Sequence, residues 1–188
     1  MKDLTKGNSL KLILQFSIPI CLGNIFQLFY SLADTRIVGK YLGEEALAAV
    51  GSTNSLNSMI IGFLLGMTNG FAIIVARYFG AKKFNEMRNA IGVTFSIGIS
   101  VSFIFTVLSV GFLEKILGVL NTPKGLMGLA SDYFVIILLG MTASMLYNIC
   151  SGILRAVGDA VTPLFFLIGS TVCNVILDLV FVKTLVMG

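Results

Sequence analysis

The chain has 188 residues, of which 56% are hydrophobic and 12% are charged, and its mean hydropathy is +0.96. A soluble domain usually contains about 25% charged residues, so the composition excludes an ordinary soluble domain and predicts a membrane protein. The chain has no histidine and a net charge of +4. His-ligated zinc and His-based triads are therefore excluded. The basic residues fall between apolar segments, where they orient a membrane protein and do not indicate nucleic-acid binding.

Five apolar segments are each long enough to cross a hydrocarbon layer of about 30 Å. They use nearly the whole chain, which predicts an all-α, polytopic membrane helix bundle of about five transmembrane helices in a single domain over residues 1–188. Pro19 lies inside the first segment and is expected to kink that helix. The predicted spans cover residues 10–38, 46–76, 90–113, 124–156 and 162–183.

Residues with strong positional preferences mark the predicted ends of the last two helices. Thr122 is expected to be the N-cap of the fourth helix, with Pro123 at its first position, and Thr162 with Pro163 repeats this pattern before the fifth. Gly158 is expected to terminate the fourth helix as a C-terminal glycine.

The basic residues predict the orientation of the chain. The N-terminal segment, residues 77–88 and Arg155 together hold eight of the thirteen basic residues, and all lie on one predicted side of the membrane. The positive-inside rule then places the N-terminus in the cytoplasm.

Small residues repeat every four positions on two of the predicted helices. Such stripes predict a face that another helix approaches closely. They are Ser58, Gly62, Gly66 and Gly70 in the second span, and Gly92, Ser96 and Ser100 in the third.

Two aspartates inside apolar spans are the strongest candidates for chemistry, because a carboxylate in hydrocarbon costs a few kcal/mol. Asp34 and Asp178 are expected at similar depth in the outer half of the membrane, and Asn174 shares a helix face with Asp178. Their oxygens would suit Na⁺, or the crowded carboxylates would bind a proton. The alternative is that both aspartates are interfacial and merely solvated.

Other polar residues in the spans are candidates for lining a substrate cavity, with interhelical hydrogen bonding as the alternative. They are Asn24, Gln27, Tyr30 and Asn148. The sequence contains no Walker lysine, HExxH or GxSxG motif, so neither an enzyme nor a cofactor is predicted.

Several short stretches, in this order and spacing, resemble the N-terminal half of multidrug and toxic compound extrusion (MATE) transporters. They are ADTRIVG at 33–39, ALAAVG at 46–51, GMTNG at 66–70, ARYFGA at 76–81, LRAVGD at 154–159, and Asn174-x-x-x-Asp178.

The resemblance implies a plasma (inner) membrane antiporter with two six-helix lobes, which exchanges Na⁺ or H⁺ for small organic, often cationic, compounds. It places the cation site at Asp34, Asn174 and Asp178 and gives Pro19 the role of a hinge in the first helix. The chain would then be a partial N-terminal lobe, and its partners would be the lipid bilayer, a sixth helix and a C-terminal lobe.

Two other functions remain open on the sequence. A lipid-linked oligosaccharide flippase of the same superfamily is expected to have a basic cavity, which the spans here do not supply. A non-transporting, truncated membrane subunit is the second alternative.

Overall fold

The computed structural model describes residues 9–178 and 180–181. Over these residues five long helices follow one another, and each contains a stretch long and apolar enough to cross a membrane. The all-α membrane fold class is thereby confirmed. Residues 179, 182 and 183 of the predicted fifth span lie outside the described residues. The helices are α1 (Ser9–Tyr41), α2 (Gly43–Gly80), α3 (Phe84–Val119), α4 (Met127–Ala156) and α5 (Val161–Asp178).

The first three helices extend beyond the predicted spans because helices continue past the hydrocarbon into their charged end turns. The clearest case is α3, for which residues 90–113 were predicted and which covers Phe84–Val119. The connection between α1 and α2 is correspondingly short and passes through Gly43, whose φ of +87° suits glycine. The α-helix continues through Pro19 without a break.

The predicted start of α4 at Thr122 and Pro123 is wrong, because these residues belong to the end of α3 and to a short turn. Asn121 has a φ of +56°. The Asn121 and Thr122 N–H groups donate to the carbonyls of Gly118 and Leu117, each at 3.1 Å. This is the Schellman ending of a helix. Pro123 then precedes a 3-10 turn at Lys124–Leu126, and α4 begins at Met127.

The N-terminal cap of α5 is Asp159, and the expectation that Thr162 caps it is wrong. The Asp159 carboxylate accepts hydrogen bonds from the N–H groups of Val161 (3.1 Å) and Thr162 (3.0 Å), and from the Thr162 hydroxyl (2.7 Å). The predicted role of Gly158 is confirmed, since it follows the C-cap of α4 with a φ of +90°.

Residues 48–157 form one compact unit, called here the α2–α4 unit. Its core is apolar, with Phe134, Leu138 and Met145 of α4 completely buried. At Gly152 the backbone of α4 comes close to α2, because a Cβ there would lie 3.6 Å from the Thr68 carbonyl oxygen.

Both predicted small-residue stripes are open to their surroundings within the α2–α4 unit, and the expectation that another helix approaches them closely stays a prediction. A Cβ at Gly62, Gly66 or Gly70 would meet no atom within 4 Å. The buried face of α3 is shifted by two residues from the predicted stripe. It contains Thr94, Gly98, Ser102 and Thr106.

The remaining described residues, 9–47, 158–178 and 180–181, belong to a second unit, called here the α1–α5 unit. It contains α1, the first turn of α2, and α5. The expectation of a single domain over 1–188 stays a prediction.

Candidate cation site

Helices α1 and α5 are in direct contact at Gly23. A Cβ placed on Gly23 would lie 3.5 Å from Leu167 Cδ2 and 3.7 Å from Leu164 Cδ1. The absence of a side chain at Gly23 therefore lets α5 place its leucines against the α1 backbone, which fixes the register of the two helices.

The same register brings Asp34 and Asp178 to one level. Asp34 follows Gly23 by eleven residues, and Asp178 follows Leu167 by eleven residues. Because both helices rise about 1.5 Å per residue, equal separations in the same direction lead to the same height. The two carboxyl groups are close enough to interact electrostatically.

Asp178 at this level and Asn174 one turn before it provide two buried acceptor atoms. They are four residues apart on α5 and so share a face. Asn174 Oδ1 and Asp178 Oδ2 are both buried, and neither has a hydrogen-bond partner among the described residues. Buried acceptors without donors are rare and unfavourable, which makes this cluster a candidate for binding a positively charged species.

The donor set fits a hard monovalent cation or a proton. Two carboxylates and one amide supply only oxygen atoms, and the crowding of two negative charges is relieved by a positive charge between them. Within residues 9–178 and 180–181, no group of three or more His, Cys, Asp or Glu side chains could hold a metal ion. Asp34, Asn174 and Asp178 themselves offer no imidazole nitrogen or thiolate sulfur, which are the ligands typical of transition-metal sites.

The other residues predicted from sequence fall into two groups. Gln27 and Tyr30 lie on the helical face of α1 that joins Gly23 to Asp34, with Gln27 exposed and Tyr30 partly buried, and Asn24 lies beside them and is exposed. Pro19 is one turn before Gly23.

Asn148 belongs to the α2–α4 unit. Its Nδ2 donates to the Ser144 carbonyl at 2.9 Å, within its own helix. The structure of the α1–α5 unit therefore groups Asp34, Asn174 and Asp178 and does not include Asn148.

Two residues that help to position α5 were missed in the sequence. Nothing in the sequence around Gly23 distinguishes it from other glycines. Asp159 could have been found because it lies three residues before Thr162, a spacing that is typical of a capping carboxylate. The hydrogen bond from the Thr162 hydroxyl, followed by that from the Thr162 N–H, holds the pKa of Asp159 below its ordinary value of 3.8. Asp159 is thus charged at neutral pH. Its negative charge interacts favourably with the positive, N-terminal end of the α5 dipole.

The chain as a whole is similar to known membrane transporters. The sequence profile of the MatE family matches residues 19–180. The chain is 33% identical over 190 residues to the probable multidrug resistance protein YpnP of Bacillus subtilis, covering 99% of this chain and 42% of that protein.

Solved structures agree with the sequence comparison. An outward-facing multidrug resistance MATE family transporter of the MOP superfamily matches 98% of this chain and 41% of its own, with a TM-score of 0.89 and 28% identity. A MATE structure in the bent conformation matches 95% and 40%, with a TM-score of 0.87 and 28% identity. The chain thus spans about two fifths of the length of the relatives that it matches.

Proposed function

The chain belongs to the MatE family, and from this premise we propose that it forms most of the N-terminal lobe of a cation-coupled multidrug efflux antiporter. The family consists of transporters, not enzymes. The observation that carries the proposal is the pair of buried oxygens on Asn174 and Asp178, which have no hydrogen-bond partner among the described residues, with Asp178 close enough to Asp34 to interact electrostatically. The names of the related proteins, multidrug resistance protein and multidrug resistance transporter, support organic compounds as the exported substrates.

In the proposed mechanism Asp34, Asn174 and Asp178 bind either Na⁺ or a proton. The bound charge removes the repulsion between the two carboxylates and changes how α1 packs on α5. Pro19 has no N–H to donate to the helix ladder, so α1 bends most readily near it. Asn24, Gln27 and Tyr30 lie between this hinge and Asp34 and are the proposed substrate contacts of the α1–α5 unit.

Coupling between ion and substrate then follows from differential affinity. An ion that binds more tightly to one packing of α1 shifts the protein towards it, and a substrate that favours the other packing has the opposite effect. By linkage each lowers the affinity for the other, which produces exchange. The remaining helices of the transporter supply the other wall of the substrate cavity.

We further propose that the protein lies in the plasma membrane with its N-terminus in the cytoplasm. The excess of basic residues on the side that contains residues 77–88 supports this orientation. Asp34 and Asp178 then lie nearer the outer surface, so the coupling ion enters from outside.

The direct test replaces each carboxylate in the full-length transporter that contains this chain. Asp34→Asn and Asp178→Asn keep the size of the side chain and remove its charge, and each is expected to lower ion-driven ethidium efflux from vesicles at least tenfold. Asp132→Asn is the matched control, because Asp132 is an exposed carboxylate at the start of α4. Imposed Na⁺ and proton gradients, applied separately, identify the coupling ion. Wild-type efflux in both site variants overturns the proposal.

A further inference from the structure

The turn between α2 and α3 concentrates positive charge. Residues 77–88, called here the basic turn, contain four basic side chains and one acidic side chain, Glu86. Their net charge of +3 is most of the +4 of the whole chain. All four cations are exposed. They are Arg77, Lys82, Lys83 and Arg88.

The backbone of the basic turn is short and well defined. The N–H groups of Lys82 and Lys83 donate to the carbonyls of Phe79 and Tyr78, each at 3.0 Å, and Lys82 has a φ of +57°. This is a Schellman ending in which a lysine takes the place usually given to glycine. Because α3 begins directly afterwards at Phe84, the four cations are held on two helix ends and a connection of three residues.

Aromatic side chains lie beside these cations. The rings of Phe79 and Phe84 meet edge to face, with centroids 6.4 Å apart, and Phe84 is 52% exposed. Both flanking helices contain membrane-spanning stretches. A turn that combines an exposed aromatic ring with exposed cations matches the boundary between lipid chains and headgroups.

The other turns between the described helices do not have this charge pattern. In the α1–α2 turn, Lys40 is followed by the acidic residues Glu44 and Glu45. In the α4–α5 turn, Arg155 is followed by Asp159. Basic residues that serve orientation alone need only lie on the correct side of the membrane. Their concentration on one rigid turn, next to apolar rings, indicates a binding surface.

We propose that the basic turn binds the phosphodiester headgroups of anionic phospholipids in the leaflet that it faces. The cations interact with the phosphate charges, and Phe84 contacts the upper part of the acyl chains. Each basic residue near an anionic lipid surface strengthens binding about fivefold, the equivalent of about 1 kcal/mol. The apolar ring favours a lipid over free phosphate as the ligand.

The test uses the full-length transporter, purified in detergent, so that membrane orientation plays no part. Native mass spectrometry measures the binding of short-chain phosphatidylglycerol and, as the neutral comparison, short-chain phosphatidylcholine. The test variant is Arg77→Gln/Lys82→Gln/Lys83→Gln/Arg88→Gln. The matched control removes the same number of exposed charges from the opposite turns. It is Arg36→Gln/Lys40→Gln/Lys115→Gln/Lys124→Gln.

The expected result is preferential binding of phosphatidylglycerol that falls at least tenfold in the test variant and changes less than twofold in the control. Lys82→Gln/Lys83→Gln alone is expected to reduce binding about 25-fold, from about fivefold for each residue. This double variant replaces the fourfold variant if that protein does not fold. Three results would overturn the proposal: equal binding of the two lipids by the wild type, equal loss in both fourfold variants, or displacement of the lipid by an equal concentration of inorganic phosphate.

Discussion

The two units of the molecule treat buried polar atoms differently. In the α2–α4 unit, buried hydroxyls donate to nearby carbonyls: Thr94 to Ala90 at 2.8 Å, and Thr106 across to Leu138 of α4 at 3.1 Å. In the α1–α5 unit, buried acceptors on Asn174 and Asp178 have no such partner among the described residues.

The buried hydroxyls of the α2–α4 unit are therefore part of its packing, whereas the buried acceptors of the α1–α5 unit indicate a binding site. A hydroxyl that returns its hydrogen bond to a helix carbonyl can be buried in an apolar unit at little cost. An amide or carboxylate oxygen without a donor keeps the cost of its lost hydration. The α2–α4 unit contains one comparable atom, the Thr122 hydroxyl oxygen, but no carboxylate accompanies it. Only the α1–α5 unit places unpartnered acceptors next to a second negative charge, which a cation can stabilise.

The largest expected effect comes from Asn174→Leu, which removes an unpartnered buried acceptor and keeps a similar side-chain volume. Ion-driven efflux by the full-length protein is expected to fall at least tenfold, while the free energy of unfolding in detergent rises by about 1 kcal/mol. Thr106→Val is the comparison, because it removes a hydroxyl that already has a partner. It is expected to lower stability and leave efflux unchanged. A loss of stability in Asn174→Leu equal to that in Thr106→Val would mean that the two units do not differ.

The next effect is on the core of the α2–α4 unit. Phe134 is completely buried, whereas Phe103 of α3 is 62% exposed. Truncating a buried phenylalanine in a core costs about 3–5 kcal/mol. Lipid is as apolar as the core, so the loss here comes from packing, and Phe134→Ala is expected to cost about 3 kcal/mol. Reversible unfolding in mixed micelles measures it against Phe103→Ala. Equal losses in the two variants would show that the unit is not tightly packed.

A smaller effect is expected where α3 and α4 approach most closely. A Cβ on Gly98 would lie 2.5 Å from Ile149 Cδ1 and 3.0 Å from Met145 Cε, and both side chains are buried. Gly98→Val therefore overpacks the interface and is expected to cost about 2 kcal/mol. Gly66→Val is the matched control, since a Cβ there meets nothing within 4 Å. Thermal unfolding of the two variants is measured in the same detergent. A lower melting temperature for Gly66→Val than for Gly98→Val would contradict the close contact of α3 and α4 at Gly98.

The number and class of the helices followed from the sequence because apolar length alone determines a membrane span. The face that each helix buries could not be predicted from the sequence. Membrane helices are apolar on several faces, so small residues on α2 and α3 gave no indication of which stripe lay inside. The buried stripe through Gly98 and the exposed stripe through Ser96 differ by two residues, and only the partner side chains on α4 distinguish them.

The candidate site was easier to predict than the structure that supports it. Charged residues are rare inside spans, so Asp34 and Asp178 were evident from the sequence. Their role in ion binding stays a prediction. Gly23 was missed because its importance depends on the leucines of α5 that reach it. The start of α5 was misassigned because Asp159 and Thr162 both favour capping positions, and only the hydrogen bonds distinguish them.

The smallest expected effect concerns that cap. Asp159→Ala removes the acceptor for the first N–H groups of α5 and is expected to lower stability at pH 7 by about 1 kcal/mol. The folded-state pKa of Asp159 is lowered, mainly by the Thr162 hydroxyl, so its carboxylate contributes stability above its ordinary value of 3.8 and loses it as pH falls through the folded-state value. The stability difference between wild type and Asp159→Ala should therefore shrink below pH 3.8. Asp159→Asn, a neutral cap, should retain part of the stability without this pH dependence. Unfolding measured in detergent between neutral pH and about pH 3 tests both expectations. A constant difference across that range would show that Asp159 stabilises the start of α5 through the shape of its side chain and not through its charge.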